Sequence, residues 1–307
     1  MRLGIDLGGT KIAAIVLDDH LNTVWETRVP TPRDDYAATL DAIAGLVDQG
    51  QRAAGETCTI GVGMPGATSL ATGLVKNANS GWLNGRAFES DLSRRLNRDL
   101  RTANDANCLA LSETVHGAAA GCSVVFGVIL GTGVGGGVVL HEQPHHGPNS
   151  IAGEWGHNPL PWPAADELPG RACYCGRTGC IETFLSGPGL AADHQRHGGP
   201  ARTGEDIVAH AAGGDVAAKA TMDRWIARLA RSLATVINLL DPDIIVVGGG
   251  LSRIDRIYTD VPRQWGAWVF SDRVDTRLVP ARHGDASGVR GAAMLWPIQD
   301  ERVLICR

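Results

Sequence analysis

Between residues 153 and 182 the chain reads GEWGHNPLPWPAADELPGRACYCGRTGCIE, a run dense in groups that bind metals and accept protons. One imidazole, His157, precedes three thiols, Cys173, Cys175 and Cys180, with Gly176 and Gly179 turning the chain between them. One nitrogen and three thiolates make the closed tetrahedral donor set of structural zinc, with no position left for a reactive water. The C-x-C-x4-C spacing departs from the commoner C-x2-C, so three reduced cysteines beside an unrelated histidine is the competing reading. Glu154 and Glu182 bracket the run, and a rigid clip that fixes two acceptors suits a polyhydroxylated ligand.

Other residues could handle phosphate. Asp6 ends an apolar stretch and leads into Gly8-Gly9-Thr10-Lys11, where glycine amides, a hydroxyl and an ammonium could face phosphate oxygens and Asp6 could hold magnesium through water. The same turn could be a plain hairpin, and it is not a Walker A loop. LGTGVGGG repeats the device with Gly131, Thr132 and Gly133, and its glycines exceed what a turn requires. IIVVGGG places Gly248 and Gly249 after a buried strand, where a nucleotide could lie against bare backbone. Asn104-Asp105 sits at a strand-to-helix junction, and Asp105 there is either a helix cap or a general base aimed into a cleft. VKNANSGWLNG puts Asn79 and Ser80 near Trp82, which suits a sugar and equally suits a turn-rich loop.

These groups need a scaffold. RLGIDL (2–7) and IAAIVLDD form a hairpin, Asp34 to Ala54 has helical spacing, and CTIGVGMPG (58–66) is a further strand ending in a turn. Helices are expected over 88–97 and 221–240, and a last one over 288–307 that packs back on the first domain. Two strand-turn-strand units, LGGTK and LGTGVGGG, suggest a duplicated domain with one phosphate-facing hairpin in each half of a shared cleft. The expected division is a small domain over 1–118, joined by the helix 288–307, and a large domain over 119–287 carrying the zinc loop.

A chain of 307 residues is long enough for two cores. Forty glycines stand well above the usual ~7%. A formal charge of -5 without a basic run argues against nucleic acid or an anionic membrane as partner. With no apolar stretch near the ~18 residues of a membrane span, no secretory leader and an odd seven cysteines, scattered outside the 173–180 run, a reducing cytoplasm is the expected location.

Taken together, DLGGTK, LGTGVGGG, GEWGH, CYCGRTGCIE and VVGGGLS occur in the order of the ROK family of repressors and sugar kinases, and the whole chain resembles it. The resemblance implies the α/β, two-domain actin-like ATPase (ribonuclease H-like) fold, with mixed sheets flanked by helices and a structural zinc loop. It also implies phosphorylation of a hexose at its 6-hydroxyl from ATP and Mg2+, with structural Zn2+ on His157, Cys173, Cys175 and Cys180. Asp105 is then the catalytic base, and Asn104, Glu154, His157 and Glu182 bind sugar hydroxyls, His157 using one ring nitrogen for metal and the other for sugar. Gly8, Gly9, Thr10, Lys11, Gly131, Thr132 and Gly133 match the phosphate loops, and Gly248 and Gly249 the adenosine site.

VKNANSGWLNG and AGEWGHNPLPW look most like proteobacterial fructokinases and manno(fructo)kinases. PTPRD, NDANC and RHGD are shared with N-acetylglucosamine kinases, but bulk at Trp82 and Trp155 is expected to disfavour an N-acetyl group. Fructose is therefore the first expectation, with N-acetylglucosamine, glucosamine or glucose as alternatives. A repressor or a non-catalytic sugar sensor is the competing class, and it is disfavoured because the chain starts at RLGIDLGGTK without a DNA-binding domain and keeps Asp105. A homodimer is a candidate assembly.

Overall fold

The structure, a computed structural model, describes residues 1–296. Strand β1 (Arg2–Leu7) pairs antiparallel with β2 (Lys11–Leu17) and parallel with β4 (Thr59–Met64). A strand flanked on both sides needs apolar side chains where it is covered, and Leu3, Ile5 and Leu7 supply them, all three buried. With β3 (Thr23–Pro30) and β5 (Arg101–Asn104) the sheet order is β3-β2-β1-β4-β5. Helix α1 (Tyr36–Ala54) covers this sheet and buries Ile43, Leu46 and Val47. Asp35 starts it by accepting from the Ala38 amide, and Gly55, at φ 70°, ends it in the left-handed region.

Glycines inside the strands have a packing cause. A Cβ at Gly61 would lie 1.9 Å from the Ala292 carbonyl oxygen, and one at Gly4 would lie 2.2 Å from that of Val289. Helix α9 (Ser287–Ala293) thus lies backbone to backbone on the sheet, closer than any side chain would allow. It is shorter than the expected 288–307 helix, ending at Ala293 with Met294 as its cap and turn and bend over 294–296; residues 297–307 lie outside the described residues.

The second sheet repeats the first. Strands β6 (Val124–Leu130), β7 (Val134–Leu140), β8 (Gln143–His145), β9 (Ile244–Gly248) and β10 (Arg277–Pro280) run in the order β8-β7-β6-β9-β10. As before, the first three are antiparallel neighbours and the last three parallel ones. A separate core of leucine, isoleucine, valine and aromatic side chains packs against it, with Trp225 fully buried. Helix α7 (Val216–Leu240) supplies much of that core. It begins five residues before the expected 221, because Asp215 caps it by accepting from the Ala218 amide.

The chain folds as two compact units. Of the described residues, the first comprises Met1–Ser112, Pro148–Ser150 and 286–296; the second comprises Glu113–Gly147 and Ile151–Asp285. One division falls inside α3 (Asp105–His116), ahead of the small-residue stretch that marks it in the sequence. No described helix is long and apolar enough to cross a membrane.

Candidate functional site

In the first unit, Leu7 pairs with Ile12, so Gly8 to Lys11 form a tight hairpin turn, closed by the Gly8 amide donating to the Lys11 carbonyl at 3.0 Å. Thr31 holds it from the side, its hydroxyl donating to the Gly8 carbonyl at 2.7 Å. Gly9, Thr10 and Lys11 are exposed. Asp6 sits below the turn, half-buried beside Gly63 and Gly288. Desolvation pushes its pKa up to about 6, with Lys11 and Arg28 pulling the other way.

Strand β5 carries Asn104 at its end and Asp105 opens α3. The Ala106 amide donates to Asn104 Oδ1 at 2.9 Å and to Asp105 Oδ1 at 2.8 Å, so the capping task is shared. Asn104 also donates through Nδ2 to the Gly66 carbonyl at 3.1 Å, tying the junction to the turn after β4. Asp105 is half-buried with one oxygen oriented by the main chain. Asn79 is exposed, and its loop is braced by Asn84, which both accepts from the Ala78 amide and donates to the Ala78 carbonyl.

In the second unit, Gly131 to Gly133 form the turn between β6 and β7. The Val134 amide donates to Glu182 Oε2 at 2.9 Å, and the Gly187 amide donates to the Gly131 carbonyl at 2.8 Å. Glu182 therefore fixes the hairpin with one oxygen. The glycines that follow serve packing: a Cβ at Gly136 would lie 2.6 Å from the Gly153 carbonyl oxygen, and one at Gly156 2.0 Å from that of Val134. They let the Gly153–His157 segment, with Glu154, lie directly on β7. Trp155 is buried there, its Nε1 donating to the Gly135 carbonyl at 2.9 Å and its ring edge-on to Phe126. Trp82 is half-buried against the core of the first unit. Trp155 therefore spends its bulk on the core, and its size gives no ground for excluding an N-acetyl group.

A cavity of about 830 Å³ opens beside this hairpin, lined by Gly131, Thr132, Gly187, Pro188, Gly204 and Gly250 among others. The first turns of α5 (Gly187–Arg196) and α6 (Gly204–Ala212) meet at it, and a Cβ at Gly204 would be 3.3 Å from the Gly187 Cα. Two helix N-termini and a glycine hairpin offer main-chain amides suited to phosphates, beside the side chains of Thr132, Arg202, Thr203, Glu205 and Asp206. The adjoining glycines are offset from expectation. Gly248 is buried within β9, and Gly249, at φ 83°, passes so close to Leu130 that a Cβ would lie 2.4 Å from its carbonyl oxygen. Gly250 and Leu251 line the cavity instead.

His157, Cys173, Cys175 and Cys180 converge, with their ligand atoms all within 4.8 Å of one another. His157 Nδ1 lies 3.5 Å from Cys173 Sγ, and Cys175 Sγ 3.6 Å from Cys180 Sγ. Burial, then the neighbouring Cys175 and Cys173 sulfurs, push the Cys180 thiol up to about 12. Three soft sulfurs and one imidazole nitrogen at this spacing fit zinc, and all four ligand positions are protein. His157 Nε2 is engaged as well, 3.0 Å from the Tyr174 hydroxyl. A cavity of about 240 Å³ adjoins the cluster, lined by Cys173, Tyr174, Glu182, Ser186 and, shared with the larger cavity, Thr132 and Pro188.

The loop between His157 and Cys173 is anchored from beneath. Glu167, buried, accepts from Arg228 Nε at 2.6 Å and from Arg231 Nη2 at 2.9 Å, while Arg228 Nη1 donates to buried Asp193 at 2.8 Å. Burial raises the Glu167 pKa, yet the guanidiniums and the Ala164 amide hold it below the usual carboxylate range. The Arg228 guanidinium also lies 5.3 Å from the ring centre of Phe184, two residues after Glu182. Sequence reasoning missed this network. Its signal is a pair of arginines three apart within the apolar stripe of α7, a place where charge survives only if paired.

Within the first unit the structure thus gathers Asp6 and the Gly8–Lys11 turn, and separately Asn104 with Asp105. Within the second it gathers Glu182, the Gly131–Gly133 hairpin, His157 and the three cysteines.

Similarity to known proteins agrees with this geometry. The chain is 42% identical over 299 residues to the N-acetyl-D-glucosamine kinases of Escherichia coli O127:H6 and Pectobacterium atrosepticum, covering 96% of this chain and 99% and 98% of theirs. These relatives carry the alternative substrate, not the fructose first expected. The ROK hexokinase of Thermus thermophilus superposes with a TM-score of 0.83 at 29% identity, over 96% of this chain and 97% of that one. The ROK glucokinase of Streptomyces griseus, solved with glucose and AMPPNP, gives 0.78 at 27% over 96% and 98%. The actin-like ATPase fold expected from the motifs is the fold observed. The ROK family model matches residues 2–299, and the chain belongs to the ROK family.

Proposed function

We propose that the protein transfers the γ-phosphoryl group of ATP to the 6-hydroxyl of a hexose, with N-acetyl-D-glucosamine as preferred acceptor. The observation that carries the reading is that Thr132 lines both cavities of the second unit, the phosphate-suited one and the smaller one against Glu182 and the Cys/His cluster. Adjoining cavities that share Thr132 and Pro188 support a reading in which one takes the donor and the other the acceptor of a transferred group. The 42% identity to N-acetyl-D-glucosamine kinases over nearly full length supports the choice of acceptor, and the core position of Trp155 removes the argument against it.

In this reading Asp105 accepts the proton of the attacking hydroxyl, oriented by its bond to the Ala106 amide. Phosphoryl transfer passes through a loose transition state, so the base chiefly positions the nucleophile. Asn79, Asn104, Glu154, His157 and Glu182 bind the sugar; Gly8 to Lys11 and Gly131 to Gly133 receive phosphates, and Gly248, Gly249 and the adjoining Gly250 back the nucleoside. Mg2+ bound with the nucleotide would supply charge neutralisation, and Asp6 is the carboxylate proposed to hold its water. Zn2+ held by His157, Cys173, Cys175 and Cys180 stiffens the loop that carries the sugar-binding set. Cys175→Ser should therefore release zinc by elemental analysis and weaken hexose binding together.

A coupled assay of ADP release across N-acetylglucosamine, glucosamine, glucose, mannose and fructose tests the proposal. The highest kcat/KM is expected for N-acetylglucosamine. Fructose ahead of it would overturn the acceptor, and no sugar-dependent release would overturn the kinase reading.

A further inference from the structure

Ser80 occupies a capping position, yet its hydroxyl caps nothing. It precedes a 3-10 turn, Gly81–Leu83, whose Leu83 amide donates to the Ser80 carbonyl at 3.0 Å, while the side chain makes no capping bond. A serine so placed ordinarily accepts from the amides that follow it. The loop around it is closed by its own backbone: the Val75 amide donates to the Arg86 carbonyl and the Gly85 amide to the Val75 carbonyl, both at 2.8 Å, and Asn84 clamps Ala78. Ser80 is thereby held 4% exposed, with no hydrogen bond to its hydroxyl among the described residues.

What that hydroxyl faces is the Gly8–Lys11 turn of the same unit. A Cβ built on Gly9 would lie 3.6 Å from Ser80 Oγ, and among the described residues no other group beyond the glycine's chain neighbours comes within 4 Å of that point. The other hydroxyls at the turn are placed differently. Thr31 donates to the Gly8 carbonyl at 2.7 Å, and Thr10 is exposed, so of the three only Ser80 is both buried and uncommitted. Burying a hydroxyl without a partner is unfavourable, and an anionic oxygen offsets that best, because a hydrogen bond to a charged group is roughly twice as strong as a neutral one. Ser80 also follows Asn79, the exposed side chain proposed for sugar, so its hydroxyl stands where the sugar loop meets the phosphate turn.

We infer that Ser80 binds the phosphoryl group in transit: its hydroxyl donates to an oxygen of the terminal phosphate of the donor before transfer and of the 6-phosphate of the sugar after it. The inference rests on the sugar-kinase reading and deepens it, because it names a group that follows the phosphoryl and belongs to neither substrate alone. In a loose transition state the charge is spread over the equatorial oxygens of that group, so a fixed donor beside them serves the transfer as well. Ligands that carry the phosphoryl group should therefore feel the hydroxyl. Ligands that lack it should not.

Ser80→Ala in the full chain is the test, read by calorimetry with AMPPNP and ADP, each with Mg2+, and with N-acetylglucosamine and its 6-phosphate. AMPPNP and the sugar phosphate should bind the variant about ten- to hundredfold more weakly, the loss of one hydrogen bond to a charged oxygen. ADP and N-acetylglucosamine should bind both proteins alike, and kcat should fall while KM for the sugar stays at the wild-type value. Equal binding of AMPPNP by the two proteins would overturn the inference. So would uniform weakening of every probe, which a disturbed loop would give, or weakening of N-acetylglucosamine alone, which would put the hydroxyl on the sugar. The binding series stands apart from turnover: a wild type that binds the probes without sugar-dependent ADP release would defeat the kinase reading and still decide the place of Ser80, whereas a wild type that binds neither phosphorylated probe would overturn both.

Discussion

In the first unit the hairpin turn Gly8–Lys11 is exposed and held by its own backbone and one threonine hydroxyl, whereas in the second the turn Gly131–Gly133 is fixed by Glu182 and the start of α5. Both units use the same strand order, with two antiparallel steps followed by two parallel ones. The difference lies in what the chain inserts. The first unit joins its third and fourth strands through α1, a plain amphipathic cover. The second places the Cys/His cluster, the Glu167–Arg228 network and four helices between its third and fourth strands. One scaffold thus appears twice, once lean with Asp105 just past its last strand and once elaborated around a proposed sugar and nucleotide site.

The comparison can be broken most sharply at Asp105. If the lean unit supplies the base and the elaborated unit the grip, Asp105→Ala should lower kcat by about 10²- to 10⁴-fold while hexose binding by calorimetry changes little. Loss of binding in proportion to turnover would move Asp105 into the grip. Next in size is the ion network. Arg228→Ala removes the cation that Glu167 and Asp193 share, leaving Arg231 on the first and Arg224 on the second, and should cost about 2–3 kcal/mol in urea unfolding. An effect near zero would mean that the loop carrying the cluster does not depend on α7.

The first unit should be sensitive to something else, the close seat of α9 on its sheet. Gly61→Ala puts a methyl group where a carbonyl oxygen lies 1.9 Å away, and about 1–3 kcal/mol of destabilisation should follow, with zinc content unchanged. The smallest expected effect is at Asp6. Its proton is held more tightly in the folded chain, so its contribution to stability is fully present below the ordinary carboxylate value of 3.8 and is lost as pH rises through about 6. Asp6→Asn, which stays neutral, should match wild type near pH 4 and exceed it in thermal midpoint above pH 6. A difference that does not vary with pH would contradict the assigned burial.

Local pattern made the strands, both hairpins and the Cys/His set legible, because alternation, glycine turns and ligand spacing are written within a few residues of each other. Long-range matters were not. The glycines of β7 read as a phosphate loop, yet Gly136 is there for the approach of Gly153, from a segment over a dozen residues away. Trp155 read as a pocket wall because a loop carries no periodicity to say which side faces inward. Which of Gly248, Gly249 and Gly250 lines the cavity was not legible, since the strand end and the start of the following 3-10 turn share the same three glycines. Arg228 and Arg231 gave only half of their network, the acidic half lying 35 to 64 residues away in sequence.

The account rests on phosphoryl transfer to the primary hydroxyl of a hexose, and phosphorus NMR of a reaction containing the protein, ATP, Mg2+ and N-acetylglucosamine tests that most directly. The account predicts a monoester signal, coupled to the two protons at carbon 6 of the sugar and equal in amount to the ADP formed. ATP converted to ADP and inorganic phosphate alone, or a monoester at another position, would contradict it.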